Sequence, residues 1–377
     1  MNDPGATTTE ILKGLTGFRQ AEVLWRDLLE RSAAAKFPND FDWLCAHAGA
    51  FGVSDRLRTY VVRDGANEPI GAFALAPELD RGSLLLPRLR PIGDGSFDSD
   101  DLEPLAVRGR EPQVARAFCD VIGRLRRPSA VVMSSVDERS PMLRALLAEL
   151  NRRQIAPRVH PGEAGVASLG ADLGATVAGL ASRMRSKVRQ ALRRSEAAGA
   201  EFDRCERPEQ LADFTKQLVH LHTLRWQALG EPGAFGDPRR VAFYESLLPP
   251  FLAREQLVLT RLSIAGEPVA LQLGFRSGDL YIQLQEGYDP RFEDQRVGVA
   301  LRAHSIEWLT ANGVRTYDFL AGLTRHKLDW GALARPSPTL AIPTGNPVGR
   351  LRFAALRWRE KRRPSSEGSE SNRNSAS

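Results

Sequence analysis

The chain has 377 residues, of which 42% are hydrophobic and 26% are charged. This composition is that of a folded globular protein, and it excludes collagen-like, intrinsically disordered and disulfide-framework proteins. The formal net charge is +6, and much of the excess positive charge lies in residues 183–194 and 350–363. Such local charge attracts anionic small ligands as well as nucleic acids, so charge alone does not identify a partner.

Three cysteines, Cys45, Cys119 and Cys205, lie far apart and match no CxxC or Cys/His spacing of a zinc site or redox pair. No metal site is therefore expected. No apolar run approaches the ~20 residues that cross a bilayer, and the first residues lack the pattern of a secretory signal. A reducing, cytoplasmic location is the expectation.

The first half of the chain alternates helix and strand patterns between termini that look disordered, 1–17 and 364–377. The predicted elements are a helix over 21–31, strands at 59–63 and 70–76, an apolar run at 84–89, a helix over 112–126, a strand at 130–134, a helix over 141–154 and a short strand at 165–169. The Gly/Asn turn after residue 63 predicts a hairpin. This mixture predicts an α/β or α+β fold.

The second half repeats this plan with clearer periodicity. The predicted elements are a helix over 178–198, a strand at 201–205, helices over 208–229 and 237–248, strands at 257–264, 269–276 and 280–286, a helix over 298–311 and a strand at 314–320. Short turns that contain glycine separate the three successive strands, which predicts an antiparallel meander. The last strand, helix and strand form a crossover unit, expected to be parallel and right-handed.

The loop that opens the last of these helices is suited to a phosphorylated ligand. It consists of Gln295, Arg296, Val297, Gly298, Val299 and Ala300. Glycine and small residues at a helix start let backbone N–H groups approach an anion, since four of them lack intrahelical partners and the helix dipole adds positive potential. The chain contains no GxxxxGK[ST] and no GxGxxG after a first strand, which excludes P-loop and dinucleotide-binding folds.

The spacing Gln295-x-x-Gly298-x-Ala300 is similar to the pyrophosphate signature Gln/Arg-x-x-Gly-x-Gly/Ala of the GNAT acetyltransferase superfamily. Its place after a meander and before a helix and strand resembles that superfamily as well. Further segments resemble the CelD/BioF-like acetyltransferase branch, whose relatives include FemA/FemX-type peptidyltransferases built of two GNAT-like halves. These segments are 181–190, 222–226, 286–289, 317–322 and 327–330.

This resemblance implies a tandem GNAT-like fold with two mixed sheets flanked by helices. The domains would be a degenerate GNAT-like domain at 18–170, a GNAT domain with the acyl-CoA site at 171–345 and a basic amphipathic helix at 346–363. Acyl-CoA would be a co-substrate, with no resident cofactor. FemA/FemX-type enzymes take aminoacyl groups from charged tRNA, and some carry an inserted helical arm. This sequence shows no such insertion, which favours acyl-CoA.

Three residues are candidate acid or base groups. Asp318 is either a catalytic carboxylate or a buried one satisfied by backbone and basic neighbours. Glu286 ends a strand before the donor loop, where GNAT enzymes often place a general base, although such a residue can simply be solvated. His222 shares a helix face with Trp226, where a histidine either packs at the edge of the core or deprotonates a substrate.

The candidate substrate-binding residues flank these groups. They are Arg225, Trp226, Lys327 and Trp330. Lys327, with Arg325, could bind an acyl acceptor's carboxylate or the 3'-phosphate of coenzyme A, or could be surface charge. The two tryptophans either pack in the core or wall a pocket.

The two basic segments have rival interpretations. The helix at 183–194 lacks interleaved aromatic residues, which favours a solvated face over a nucleic-acid contact. Segment 350–363 could contact a membrane or dock on the protein's own surface. The leading hypothesis is acyl transfer from acyl-CoA to an amine or hydroxyl of a small-molecule, saccharide or lipid-linked acceptor. The alternatives are tRNA-dependent aminoacyl transfer and a non-catalytic scaffold for polysaccharide or lipid synthesis.

Overall fold

The computed structural model describes residues 6–34, 36–78, 87–95 and 98–362, with the backbone alone for 357–362. The chain divides into two compact units. Unit 1 is formed by residues up to Pro161 and from Ser337 onward, and unit 2 by Gly162–Pro336. Each unit contains a mixed sheet with helices, so the predicted class is confirmed.

The first passage through unit 1 contains seven strands and five helices within the described residues. The strands are β1 (Thr8–Lys13), β2 (Arg58–Arg63), β3 (Pro69–Pro77), β4 (Arg88–Pro91), β5 (Leu105–Ala106), β6 (Ala130–Met133) and β7 (Arg158–His160). The helices are α1 (Gly14–Gln20), α2 (Glu22–Arg31), α3 (Phe41–Ala50), α4 (Glu111–Arg124) and α5 (Pro141–Arg152). Strands β2 and β3 form the predicted antiparallel hairpin. Of the predicted apolar run at 84–89, residues 84–86 lie outside the described residues.

The described part of the N-terminal segment is ordered, which corrects the prediction of disorder over 1–17. Strand β1 pairs antiparallel with β2 from Thr8 opposite Arg63 to Lys13 opposite Arg58. Helix α1 follows directly, with Phe18 fully buried. The strand is held by its backbone ladder rather than by an apolar face, so its polar sequence gave no periodic signal.

Unit 2 contains the predicted meander and crossover. Its strands are β8 (Glu163–Ser168), β9 (Glu201–Arg204), β10 (Leu257–Ile264), β11 (Glu267–Ser277), β12 (Leu280–Tyr288), β13 (Thr316–Ala321) and β14 (Leu333–Pro336). Its helices are α6 (Leu173–Ala178), α7 (Ser182–Ala197), α8 (Pro208–Ala228), α9 (Pro238–Ala253), α10 (Val297–Ala311) and α11 (Arg325–Asp329). The sheet order is β14-β8-β13-β12-β11-β10-β9. Strands β9 to β12 pair antiparallel, and β12 pairs with β13 in parallel, as predicted.

The chain then returns to unit 1 with β15 (Thr339–Pro343) and α12 (Pro347–Arg362). Strand β15 lies between β6 and β7, which gives the order β1-β2-β3-β4-β6-β15-β7, and β5 pairs with β3. The unit boundaries therefore differ from those predicted at 170/171 and 345/346. The reason is that β8 and β15 are short, and pairing partners distant in sequence decide which sheet they join.

Helix α12 lies in the segment where a basic amphipathic helix was predicted. Its start is anchored on unit 1, because Asn346 Nδ2 donates to the Arg126 and Arg127 carbonyls at 2.7 and 3.0 Å. Val348 and Leu351 are exposed. Within the described residues, no helix is long and apolar enough to cross a membrane.

Candidate active site

A cavity of about 490 Å³ lies beside the first turn of α10 in unit 2. Its volume is in the range of small-molecule sites, roughly 300–1,000 Å³. Helices α7, α8 and α11, the end of β12 and the segment before α10 supply its walls. The lining side chains used below are Lys187, Arg194, Arg225, Glu286, Tyr288 and His326.

The predicted phosphate loop forms one end of this cavity. Arg296 precedes α10 in the left-handed region, at φ 59° and ψ 38°. Its carbonyl accepts hydrogen bonds from the N–H groups of Val299 and Ala300 at 2.9 and 3.0 Å. The prediction of four unpartnered N–H groups is therefore corrected, since two of them are used inside the first turn. Val297 and Gly298 line the cavity and are the remaining first-turn donors for an anion.

Gly298 keeps the cavity free of a side chain at this position, and the backbone conformation does not require a glycine here. A Cβ atom built on Gly298 would lie 3.6 Å from Tyr288 Cδ1, which is an ordinary van der Waals contact. The backbone φ of Gly298 is not positive, so the local conformation does not require glycine. A larger side chain here would instead project beside the N–H groups that face the cavity.

Part of the arginine-rich helix α7 faces the cavity, which revises the prediction of a merely solvated face. Lys187 and Arg194 both line the cavity. The Arg194 guanidinium also donates to the backbone carbonyl of Asp294, in the segment before α10. Arg183, Arg189 and Arg193 are exposed, as expected. Two cations of this helix therefore flank the first turn of α10.

A β-bulge in β12 shapes the cavity floor. Gln285 pairs with Leu273 and Gln283 pairs with Gly274, so Leu284 is an extra residue. Side chains three positions apart on a regular strand point to opposite faces, but a bulge changes that alternation. Here Gln283 Nε2 donates to Glu286 Oε2 at 3.1 Å. The bulge thus brings both polar side chains to the same place.

Glu286 lies between two guanidinium groups. Arg225 Nη1 donates to Glu286 Oε1 at 2.9 Å, and Arg302 Nη2 donates to Glu286 Oε2. Burial raises the pKa of Glu286, but the charges of Arg302 and Arg225 outweigh it and hold the pKa at about 2. Glu286 is therefore ionised at neutral pH and is a weak base.

Arg302 was missed by sequence reasoning, although the sequence contained a signal for it. The residue lies among the apolar positions of α10, such as Leu301 and Ala303, and only 1% of it is exposed. A buried arginine in an apolar helix face must have partners. Its Nη2 also donates to Gln283 Oε1 at 3.2 Å, which in turn accepts from Tyr317 Oη at 2.9 Å.

His326 is the second missed residue, and it lies on α11 between the predicted candidates Arg325 and Lys327. Its Nε2 contacts Arg302 Nη1. A guanidinium can only donate, so Nε2 is the acceptor and the ring is neutral with its proton on Nδ1. The charge of Arg302 and burial lower the pKa of His326 from 6.5 to about 4.

This assignment predicts the titration of His326. We expect its ring resonances in two-dimensional NMR to titrate with a midpoint near pH 4, against an ordinary histidine value of about 6.5. The Arg302→Met variant should move this midpoint upward, because the Arg302 charge is the main cause of the shift. His326→Gln assigns the resonance. A midpoint near 6.5 in the parent protein would show that Arg302 and burial do not lower the pKa of His326.

His222 and Trp226 lie outside the lining of the cavity. His222 is 2% exposed, and its ring centroid lies 4.8 Å from that of Phe235 and 5.8 Å from that of Trp226. Burial, with the charge of Arg225, lowers the pKa of His222 to about 4. These contacts match the alternative in which His222 packs at the edge of the core.

Asp318 and Lys327 serve the end of β13. Asp318 is 8% exposed, pairs with Arg335 at 3.4 Å and accepts from the Leu320 N–H at 2.7 Å. Lys327 Nζ donates to three backbone carbonyls. Its distance to the carbonyl oxygens of Phe319 and Ala321 is 2.7 Å. Neither residue lines the cavity. Asp318 therefore matches the alternative of a satisfied buried carboxylate.

Two remaining candidates occupy contrasting positions. Trp330 is 3% exposed and packs in the core, 5.4 Å from the Arg302 guanidinium to the ring centroid. Arg325 is 82% exposed and pairs with Asp329 one turn away. Of the predicted substrate-binding residues, Arg225 is the one that lines this cavity.

In unit 2 an antiparallel meander ends in a bulged strand, and the helix start that follows presents N–H groups to the cavity. Residues 182–328 match the family model described as an acetyltransferase (GNAT) domain. Unit 2 therefore carries a GNAT domain, which confirms the predicted relationship to that superfamily. No curated protein sequence matches the chain. The narrower CelD/BioF-like assignment stays a prediction.

Solved structures with the same fold match the chain over most of its length. FemX superposes with a TM-score of 0.63 at 12% identity, over 88% of this chain and 98% of FemX. A conserved protein of unknown function from Bacteroides thetaiotaomicron gives 0.56 at 14% identity, over 86% and 97%. L-PGS from Bacillus licheniformis gives 0.52 at 14% identity, over 89% and 96%. At these identities the similarity establishes the fold, which agrees with the predicted Fem-related architecture.

Proposed function

We propose that the protein transfers an acyl group, such as acetyl, from acyl-CoA to an amine or hydroxyl of a small-molecule, saccharide or lipid-linked acceptor. The observation that carries this proposal is the first turn of α10. The N–H groups of Val297 and Gly298 line the same cavity as Lys187 and Arg194, and Gly298 places no side chain beside these N–H groups. This combination suits the pyrophosphate of coenzyme A.

The reaction proposed is direct attack on the thioester. The nucleophile of the acyl acceptor forms a bond to the carbonyl carbon, and collapse of the tetrahedral intermediate breaks the C–S bond and expels the coenzyme A thiolate. The proton lost by the nucleophile ends on that thiolate or in solvent. The protein supplies proximity and orientation within the cavity. With pKa values of about 2 and 4, Glu286 and His326 are suited to orienting substrate polar groups rather than to strong general-base catalysis.

Calorimetric titration with acetyl-CoA and a longer acyl-CoA tests the donor. We expect saturable binding that Gly298→Glu abolishes, because the new carboxylate would occupy the phosphate position and repel it. Ala311→Glu is the matched control, since it adds the same charge at the exposed opposite end of α10. Absence of binding by any acyl-CoA would overturn the proposal.

Charged tRNA is the rival donor, because FemX shares the fold. Filter binding of aminoacyl-tRNA to the full chain separates the two donors. We expect the full chain to retain no aminoacyl-tRNA on the filter and to bind acyl-CoA. Tight binding of aminoacyl-tRNA without acyl-CoA binding would replace the proposed donor.

A further inference from the structure

The group of ionisable side chains around Glu286, at the inner end of the cavity, carries more positive than negative charge. Arg225 and Arg302 both form an ion pair with Glu286. Among the described residues, Glu286 is the carboxylate partner of each arginine. His326 is neutral, as its contact with Arg302 requires. The group therefore holds two positive charges and one negative charge.

Burial makes this imbalance significant. Arg302 is 1% exposed, and 24% of the Arg225 side chain is exposed where it lines the cavity. A buried charge without a counter-charge is costly, so such a cluster favours binding of an anion. The Nε atoms of both arginines are buried and have no hydrogen-bond partner within the described part of the chain.

Arg225 is positioned to contact that anion. One guanidinium edge is held by Glu286 at 2.9 Å, and the group stacks over the Tyr288 ring at 5.1 Å. A guanidinium has five N–H donors in a planar fork that matches carboxylate and phosphate oxygens. Arg302 holds the other oxygen of Glu286 and fixes the position of the carboxylate.

We infer that Arg225 forms a subsite for an oxyanion, a carboxylate or a phosphate, carried by the acyl acceptor. The inference rests on the proposed function, in which the donor pyrophosphate occupies the first turn of α10 with Lys187 and Arg194. The Arg225 group is a second anion-binding element in the same cavity. An acceptor bound there presents its amine or hydroxyl to a thioester held by the first element.

Thermal unfolding of the full chain with saturating coenzyme A tests the subsite directly. Inorganic phosphate and acetate should each raise the midpoint relative to chloride at equal ionic strength. Arg225→Gln should abolish this increase, and Arg225→Lys should restore part of it. Arg239→Gln, at an arginine paired on the protein surface, is the control. No increase from either anion in the parent protein overturns the inference.

Turnover separates an acceptor subsite from a donor subsite. Coenzyme A release is measured with acceptor pairs that differ only in the anion: an amino acid and its amide, and an amino sugar and its phosphate. The anionic member should react with about 10-fold to 100-fold higher kcat/KM. Arg225→Gln should remove that difference by raising KM while leaving the acetyl-CoA Kd unchanged. Lys187→Gln should weaken acetyl-CoA binding instead.

Three results would overturn this inference while leaving the donor proposal intact. The first is an equal rate for the anionic and the neutral acceptor of each pair. The second is a loss of acetyl-CoA affinity in Arg225→Gln as large as that in Lys187→Gln, and the third is a requirement for an anionic acyl chain on the donor. Failure of acyl-CoA to bind in calorimetry would instead remove the proposed function. If only the phosphate or only the carboxylate raises kcat/KM, the two acceptor pairs identify which oxyanion the subsite binds.

Discussion

Replacing Arg302 with methionine should lower the unfolding free energy of the protein by about 1–3 kcal/mol, because buried acceptors lose a hydrogen-bond donor. The methionine fills similar space but leaves Glu286 with one guanidinium partner instead of two. It also removes the donor to His326 Nε2 and to Gln283 Oε1. Urea unfolding of the full chain, followed by tryptophan fluorescence, measures the loss.

A double variant shows whether the loss comes from the charge pair. Glu286→Gln alone should also destabilise, and Arg302→Met with Glu286→Gln should cost less than the sum of the two single changes, by at least about 1 kcal/mol. Arg325→Ala is the surface comparison, because its ion pair is 82% exposed on the arginine side and should contribute no more than about 0.5 kcal/mol. Strict additivity of the two core changes would refute a coupled cluster.

Replacing Gly287 with alanine should destabilise the protein by about 3 kcal/mol or more, because the new methyl group meets rigid backbone. A Cβ atom at Gly287 would lie 2.2 Å from the backbone N of His222 and 2.6 Å from the carbonyl carbon of Leu221. Helix α8 crosses β12 at this point and cannot yield without moving as a whole. The helix carries Arg225, so its displacement should also weaken the pair with Glu286.

The matched control is Gly179→Ala, also in unit 2. A Cβ atom there would meet the Thr176 carbonyl oxygen at 3.5 Å, and the backbone φ is −73°, which alanine adopts freely. We expect this variant to unfold at the parent's urea midpoint or above it. If Gly287→Ala unfolds at the same midpoint, the close approach of α8 to β12 does not limit stability.

Local patterns in the sequence predicted most elements of unit 2. Glycine turns marked the antiparallel meander of β10 to β12, and helical periodicity marked α7, α8 and α10. The signals failed for short elements whose stability comes from long-range pairing. Strands β1, β14 and β15 are such cases, and β15 pairs with β6 across some 200 residues of chain.

The sequence by itself determined the anion-binding end of the site. Gly298 and the small residues around it are neighbours in the chain, and a helix start creates free N–H groups wherever it occurs. Only the tertiary structure decided which ionisable groups meet there. Arg225 and Glu286 are 61 residues apart in the chain, and a bulge in β12 with the packing of α8 and α10 brings both to Arg302. Asp318 and Lys327 carry equally suggestive chemistry, but both have other partners. The register of the sheet directs Asp318 on β13 to Arg335. Lys327, on helix α11, donates to backbone carbonyls at the end of β13.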